Sequence, residues 1–183
     1  KAILFDIGGT LRIVHKSKNR SLATLQKMQA LVGDTGDAQK FAHKLVEGEK
    51  QYRVWCKNTL SELNEAGLWT RFMLPDSPST MVAENAIALN QLWREAHSNS
   101  FLPGSVELLK TLAARGYILA IVSNTTSSVE VPKLLKEYGI EAIFSSVLLS
   151  TVYGKRKPHP AMFLTAAREC GVSPLECAYI GDR

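Results

Sequence analysis

The chain has 183 residues, of which 45% are hydrophobic and 21% charged, and its formal net charge is +5. This composition is typical of a globular protein with a buried core. It includes no apolar run of the roughly 20 residues that a membrane-spanning helix needs, and no basic stripe interleaved with aromatic residues that would indicate nucleic-acid binding. The three cysteines form no CxxC pair and no secretory leader is recognisable, which predicts a cytoplasmic protein with reduced thiols.

The first part of the chain predicts one buried strand and then helices. The apolar run at residues 2–5 is typical of a strand, and it ends at Asp6. Beyond a brief strand-like run at residues 11–14, the sequence up to residue 100 predicts helices and no strand of any length. Apolar residues recur there at helical spacings, at Leu22, Leu25 and Met28, at Phe41, Leu45 and Trp55, and at Val82, Ala86, Leu89 and Trp93.

From residue 101 onward, predicted helices alternate with predicted strands. The helices are predicted at residues 106–115, 132–138 and 161–170. Each is followed by a glycine, which commonly ends a helix. The strands are predicted at residues 117–122, 143–149 and 178–180. They are almost continuously apolar, which is typical of a parallel sheet covered on both faces.

We therefore predict an α/β fold with a doubly wound, Rossmann-like parallel sheet that is interrupted after its first strand by an all-helical insertion. The predicted core comprises residues 1–13 and 101–183, and the predicted insertion comprises residues 14–100. The sequence stops directly after a strand that needs covering, so we also expect further residues after Arg183.

Polar side chains follow the predicted strands at their carboxyl ends or in the next loop. In chain order they are Asp6, Ser123 with Asn124, Lys157 and Asp182. Ligands bind beyond the carboxyl ends of parallel strands, so we expect these side chains to meet. Asp6 can attack as a nucleophile, and Asp6 with Asp182 can hold a hard cation such as Mg²⁺. Ser123 and Lys157 can bind phosphate oxygens, which completes a set suited to phosphoryl transfer.

Four short motifs in this order resemble those of the haloacid dehalogenase superfamily of hydrolases. They are FDIGGT at residues 5–10, VSN at 122–124, KPHP at 157–160 and IGD at 180–182. The helical insertion after the first motif resembles the cap domain of the first subclass of that superfamily. The resemblance covers essentially the whole chain and implies a capped hydrolase.

The resemblance also implies a role for each matching residue. Asp6 would form an aspartyl intermediate, and Lys157 would bridge this nucleophile and the phosphoryl oxygens. The implied phosphate-binding residues are Ser123, Asn124, Thr10 and Lys157, with Thr10 supporting the loop after the first strand. The implied Mg²⁺ ligands are Asp6, Asp182 and the backbone carbonyl of Gly8. The substrate would be a small phosphorylated metabolite bound between core and cap.

Gly8 departs from the family pattern, because family phosphatases carry an aspartate there that serves as general acid and base. Such help is worth roughly 10²–10⁴-fold in rate. The departure keeps other readings open: a hydrolase of C–P or C–halogen bonds, or a weakly catalytic relative that binds phosphometabolites or a protein. A C–P hydrolase of this superfamily would use a cap lysine, for which Lys40, Lys44 and Lys50 are candidates. The further acidic residue of the fourth motif would lie past Arg183.

The letters DIGGT also resemble the first phosphate loop of the actin, hexokinase and sugar-kinase fold. That fold needs further strands directly after the threonine, and a later glycine cluster at the adenosine. The sequence continues with only the brief strand-like run at residues 11–14 and no such cluster. An ATP-binding protein of this kind is therefore the less favoured interpretation.

Overall fold

The computed structural model describes residues 1–15 and 20–182. Its strands are β1 (Ala2–Phe5), β2 (Arg12–His15), β3 (Ser98–Phe101), β4 (Ile118–Ser123), β5 (Phe144–Leu149) and β6 (Cys177–Ile180). Its α-helices are α1 (Leu22–Val32), α2 (Ala38–Thr59), α3 (Glu65–Leu68), α4 (Ser79–Glu84), α5 (Ala86–Arg94), α6 (Ser105–Ala114), α7 (Glu130–Glu137), α8 (Ser150–Tyr153) and α9 (Pro160–Glu169). A π-helical turn spans Trp69–Met73, and short 3₁₀ turns span Glu141–Ile143 and Pro174–Glu176.

Four strands form the central sheet in the order β5-β4-β1-β6, with every neighbouring pair parallel. The first strand of the chain therefore lies inside the sheet, between two strands that come more than 110 residues later. This arrangement places the carboxyl ends of β1, β4 and β6 side by side. The predicted α/β class and the parallel sheet are confirmed.

Helices cover both faces of this sheet, as its apolar strands require. On one face, Leu109 of α6 and Leu134 of α7 pack with Phe5 and Ile121 in one hydrophobic cluster. On the other face, residues of α9, including Met162, join the strands in a second cluster. The sheet is therefore doubly wound.

The inserted helices have a hydrophobic cluster of their own. It is made by residues between Leu25 and Trp93, with Trp69, Tyr52 and Phe41 almost fully buried. Gly48 of α2 allows the closest approach, because a Cβ atom there would lie 2.2 Å from the carbonyl oxygen of Phe72. The insertion therefore has a hydrophobic core of its own, separate from the clusters that flank the central sheet.

The structure corrects two predictions for the insertion. β2 and β3 pair as an antiparallel ribbon, so the expectation of no strand of any length was wrong. Both predicted domain boundaries fall inside this ribbon, and they stay a prediction. The single helix predicted from Val82 to Trp93 is in fact two helices, α4 and α5, which are separated at Asn85. The side-chain amide of Asn85 donates to the carbonyl of Leu31 at 3.1 Å.

Within residues 1–15 and 20–182, no helix combines the length and the apolar character needed to cross a membrane.

Candidate active site

Asp6 and Lys157 form a close ion pair at the carboxyl end of β1. The ammonium of Lys157 lies 2.8 Å from Oδ1 of Asp6, and the two side chains are 10% and 15% exposed. The backbone N–H of Ile7 also donates to this oxygen, at 2.7 Å. Burial lowers the pKa of Lys157, while its hydrogen bond to Asp6 opposes that shift. A carboxylate and a cation are thus held together at the edge of the sheet.

The lysine is held in place by two neighbours. The side-chain amide of Asn124 donates to the carbonyl of Lys157 at 3.0 Å and accepts from its N–H at 2.8 Å. The ammonium of Lys157 donates to the hydroxyl of Tyr179 at 2.8 Å. Burial, and then the charges of Asp6 and Asp182, raise the pKa of Tyr179 to about 12, so this hydroxyl is neutral at physiological pH.

Asp182 is placed against the loop that follows β1. Gly9 has a φ of +83°, and a Cβ atom at this glycine would lie 2.7 Å from Oδ2 of Asp182. The glycine therefore permits both the turn and the close approach of the carboxylate. Gly8, by contrast, faces open space, with nothing within 4 Å of an added Cβ.

A cavity of about 530 Å³ collects most of the predicted site residues. Its lining includes Asp6, Gly8, Ser123, Asn124, Lys157 and Asp182. Ser123, at the end of β4, is only 2% exposed. A volume of this size accommodates a small metabolite. The rim of the sheet thus brings together the residues that follow β1 and β6, the end of β4 and the loop before α9.

Thr10 is the predicted phosphate-binding residue that this cavity does not include. Its hydroxyl is buried and finds no hydrogen-bond partner among residues 1–15 and 20–182. Of the lysines in the insertion, Lys57 lines the cavity, whereas Lys40, Lys44 and Lys50 do not. The roles predicted for the individual site residues stay predictions.

The donors at this rim fit a magnesium ion. Asp6 and Asp182 supply carboxylate oxygens, the ligand type that Mg²⁺ prefers, and Gly8 brings backbone to the same cavity. In the part of the chain that the structure describes, no group of three or more His, Cys, Asp or Glu side chains could hold a metal ion. A cation at this rim would therefore need backbone carbonyl and water oxygens besides the two carboxylates.

A second cavity, of about 470 Å³, extends the first one toward the inserted helices. The two share Gly8, Arg12, Arg53, Asn124 and Asp182 in their linings.

Two residues of the site, Arg12 and Tyr179, were not predicted from the sequence. Arg12 could have been found, because a charged residue inside the strand-like run at residues 11–14 is unusual. Tyr179 was missed because a tyrosine in an apolar strand has no distinguishing pattern.

The whole sequence, residues 1–183, matches the family of haloacid dehalogenase-like hydrolases. The chain belongs to this family, which confirms the resemblance of the four motifs. It is 26% identical over 187 residues to the glyceraldehyde 3-phosphate phosphatase of Methanopyrus kandleri, covering 100% of this chain and 76% of that protein. It is 29% identical over 138 residues to the phosphoglycolate phosphatase of Nitrosococcus oceani, covering 75% of this chain and 61% of that protein.

Solved structures share the fold. The 2-haloacid dehalogenase of Pseudomonas syringae pv. tomato superposes with a TM-score of 0.62 at 19% sequence identity, covering 100% of this chain and 78% of that one. This likeness supports the Rossmann-like architecture with its helical insertion.

Proposed function

We propose that the protein is a phosphatase that hydrolyses small phosphorylated metabolites through an aspartyl-phosphate intermediate on Asp6. The observation that carries the proposal is the ion pair between Lys157 and Asp6, in one cavity with Ser123 and Asp182. The named relatives are phosphatases of small phosphate esters, which supports the same substrate class. The three cysteines are free thiols, which suits the reducing cytoplasm that we propose as its location.

In the first step, a carboxylate oxygen of Asp6 attacks phosphorus and the ester oxygen leaves with the bonding electrons. In the second step, water attacks the aspartyl phosphate, which releases inorganic phosphate and restores the Asp6 carboxylate. Lys157 offsets negative charge on the phosphoryl oxygens and Ser123 donates its hydroxyl to one of them. A magnesium ion held by Asp6, Asp182 and the Gly8 carbonyl would supply further positive charge at these oxygens.

Gly8 leaves this mechanism without a carboxyl group beside the nucleophile. The departing ester oxygen must therefore take its proton from water or leave as an anion. Leaving groups of low basicity need little protonation. We thus expect the protein to hydrolyse activated phosphate esters much better than alkyl phosphates.

The proposal is tested by comparing wild type with Asp6→Asn on p-nitrophenyl phosphate in the presence of Mg²⁺. We expect Asp6→Asn to lose more than about 10³-fold in kcat, because the amide is not a nucleophile. Asp76→Asn, the same change at an exposed aspartate outside this cavity, serves as the matched control and should keep wild-type activity.

The same pair of variants separates the alternatives. Turnover of phosphonates or haloacids that depends on Asp6, without turnover of phosphate esters, would replace the proposed phosphatase by a C–P or C–halogen hydrolase. No turnover dependent on Asp6 on any of the three substrate classes would favour a binding protein.

A further inference from the structure

Arg12 is a buried arginine with incomplete hydrogen bonding at the junction of the two cavities. It lies on β2, is 4% exposed, and lines both cavities. Its Nε and Nη1 atoms have no hydrogen-bond partner among residues 1–15 and 20–182, and Nη1 has only an ion-pair contact of 3.5 Å to Oε1 of Glu130. Nη2 donates to Glu130 at 3.5 Å, the long limit of a hydrogen bond. Buried polar groups are normally satisfied, so these donors need an explanation.

Glu130 does not neutralise Arg12 by itself, because it is shared. The carboxylate of Glu130 accepts a short hydrogen bond from Arg94 and another from the side-chain amide of Asn99 at 2.8 Å. Arg12 approaches the same carboxylate only to 3.5 Å. Two guanidinium groups thus face one carboxylate. Burial lowers the pKa of Arg12; Glu130 opposes this shift and Arg94 adds to it.

Arg12 also lies within electrostatic reach of the proposed nucleophile. The charge of Asp6 acts on Arg12, and both residues line the cavity of about 530 Å³. A molecule that places a phosphoryl group at Asp6 can therefore extend toward Arg12 within one small cavity. The planar guanidinium matches carboxylate and phosphate groups, which it binds through paired N–H donors.

We propose that Arg12 binds a second anionic group of the substrate, a carboxylate or a second phosphate, while the phosphoryl group to be transferred lies at Asp6. This inference rests on the proposed function and narrows its substrate class to phosphate esters with an anionic tail. A purely structural role, in which Arg12 only pairs with Glu130 across the base of the insertion, leaves Nε without a partner and Nη1 with a single long contact of 3.5 Å to Glu130.

The test uses three matched three-carbon esters: 3-hydroxypropyl phosphate, 3-(phosphonooxy)propanoate and propane-1,3-diyl bisphosphate. We expect wild type to prefer the compounds with an anionic tail. Arg12→Gln should lower kcat/KM for a preferred compound by about 10- to 100-fold, the usual worth of a hydrogen bond to a charged group, mostly through KM. The loss on 3-hydroxypropyl phosphate should be less than about 3-fold. The two anionic compounds distinguish a carboxylate from a second phosphate.

Arg115→Gln, the same change at an exposed arginine outside both cavities, is the control and should change none of the three rates. Arg12→Gln should fold, because Arg94 and Asn99 still hold Glu130. Arg12→Lys keeps the charge but not the paired donors, and should lose less than Arg12→Gln. Circular dichroism confirms that each variant is folded.

Equal losses on all three compounds, or no preference of wild type for an anionic tail, would overturn the proposal. If neither these compounds nor p-nitrophenyl phosphate is hydrolysed in a manner that depends on Asp6, the proposed function fails. Calorimetry then measures the binding of the same three compounds to wild type and to Arg12→Gln. If wild type binds the anionic-tail compounds more tightly and Arg12→Gln loses this preference, the proposed role of Arg12 is supported. Equal binding of the three compounds by wild type would overturn that role.

Discussion

At the scale of single residues, Gly8 is the position for which we expect the clearest consequence for rate. It lies in the cavity of Asp6, two residues after this aspartate, and a side chain there meets nothing within 4 Å. Its φ lies outside the range that favours glycine, so the backbone accepts another residue without strain. The glycine is therefore a difference in chemistry and not a requirement of the fold.

We expect Gly8→Asp to raise the hydrolysis of an alkyl phosphate by about 10-fold or more, because it restores a group that can protonate the leaving oxygen. The gain on p-nitrophenyl phosphate should be much smaller, since this leaving group needs little protonation. Gly8→Asn, which adds a side chain of similar size without an acid, is the matched control. An equal gain from Gly8→Asn, or no gain from Gly8→Asp on the alkyl ester, would show that the missing acid does not limit the rate.

Lys157 predicts a pH dependence. Burial lowers the pKa of this ammonium from its ordinary 10.5, so it loses its proton at a lower pH than an ordinary lysine does. The proposed mechanism needs the charged form, so kcat/KM should fall on the alkaline side below pH 10.5. Tyr179 is not the source of this fall, because its pKa is raised to about 12.

The measurement is a pH–rate profile of wild type and Tyr179→Phe between neutral pH and the onset of alkaline unfolding. The alkaline fall should persist in Tyr179→Phe, which has no phenol to titrate. If Tyr179→Phe abolishes the fall, the phenol and not the lysine is the titrating group.

At the scale of secondary-structure elements, the sequence predicts best where a local pattern decides the outcome. The strands β1, β4 and β6 are short apolar runs, and a buried parallel strand needs little else. Gly116 and Gly139 follow predicted helices and have φ values of +82° and +62°, the conformation that ends a helix with glycine. These elements are specified by residues that are near neighbours in the chain.

The elements that were missed depend on distant partners. β3 contains Ser98, Asn99 and Ser100, which have no preference for strands, and it forms because β2 pairs with it across more than 80 residues. The break at Asn85 likewise depends on a side-chain hydrogen bond to α1. Long-range pairing of this kind leaves no periodic signal in the sequence.

In the candidate site too, some residues are predictable from local sequence and others depend on distant partners. Asp6, Ser123 and Asp182 stand at strand ends, and a parallel sheet necessarily brings such ends to one rim. Arg12 and Tyr179 contribute through side-chain neighbours, and no spacing rule predicts which partners a buried arginine or phenol finds. The sequence therefore predicts the position of the ligand site better than it predicts the side-chain contacts within that site.

At the scale of the whole molecule, the inserted helices are joined to the core at a second place besides the ribbon of β2 and β3. The segment 60–63 after α2 pairs with the segment 150–156, which leads directly to Lys157. The N–H of Arg156 donates to the carbonyl of Leu60 at 3.1 Å, and the N–H of Glu62 donates to the carbonyl of Gly154 at 3.1 Å. Movement of the insertion would therefore move the loop that carries the proposed catalytic lysine.

Glu62 is the centre of this second connection. Its side chain is 1% exposed and lies 2.8 Å from Nη1 of Arg156. It also accepts hydrogen bonds from Ser150 at 3.0 Å and from the hydroxyl of Tyr52. Burial, and then the charge of Glu62, raise the pKa of the Tyr52 hydroxyl, which keeps this donor neutral. The carboxylate thus joins the insertion to the core through two core donors, Arg156 and Ser150, and is also held by Tyr52 within the insertion.

We expect Glu62→Gln to lower the free energy of unfolding by about 2–4 kcal/mol, because it leaves Arg156 partly buried without its counter-charge. It should also lower kcat, since Arg156 precedes Lys157 in the connecting loop. Chemical denaturation and steady-state kinetics measure the two effects. Glu47→Gln, the same change at an exposed glutamate of α2, should alter stability by less than about 0.5 kcal/mol. Equal effects of the two substitutions would contradict a role for Glu62 in joining the insertion to the loop of Lys157.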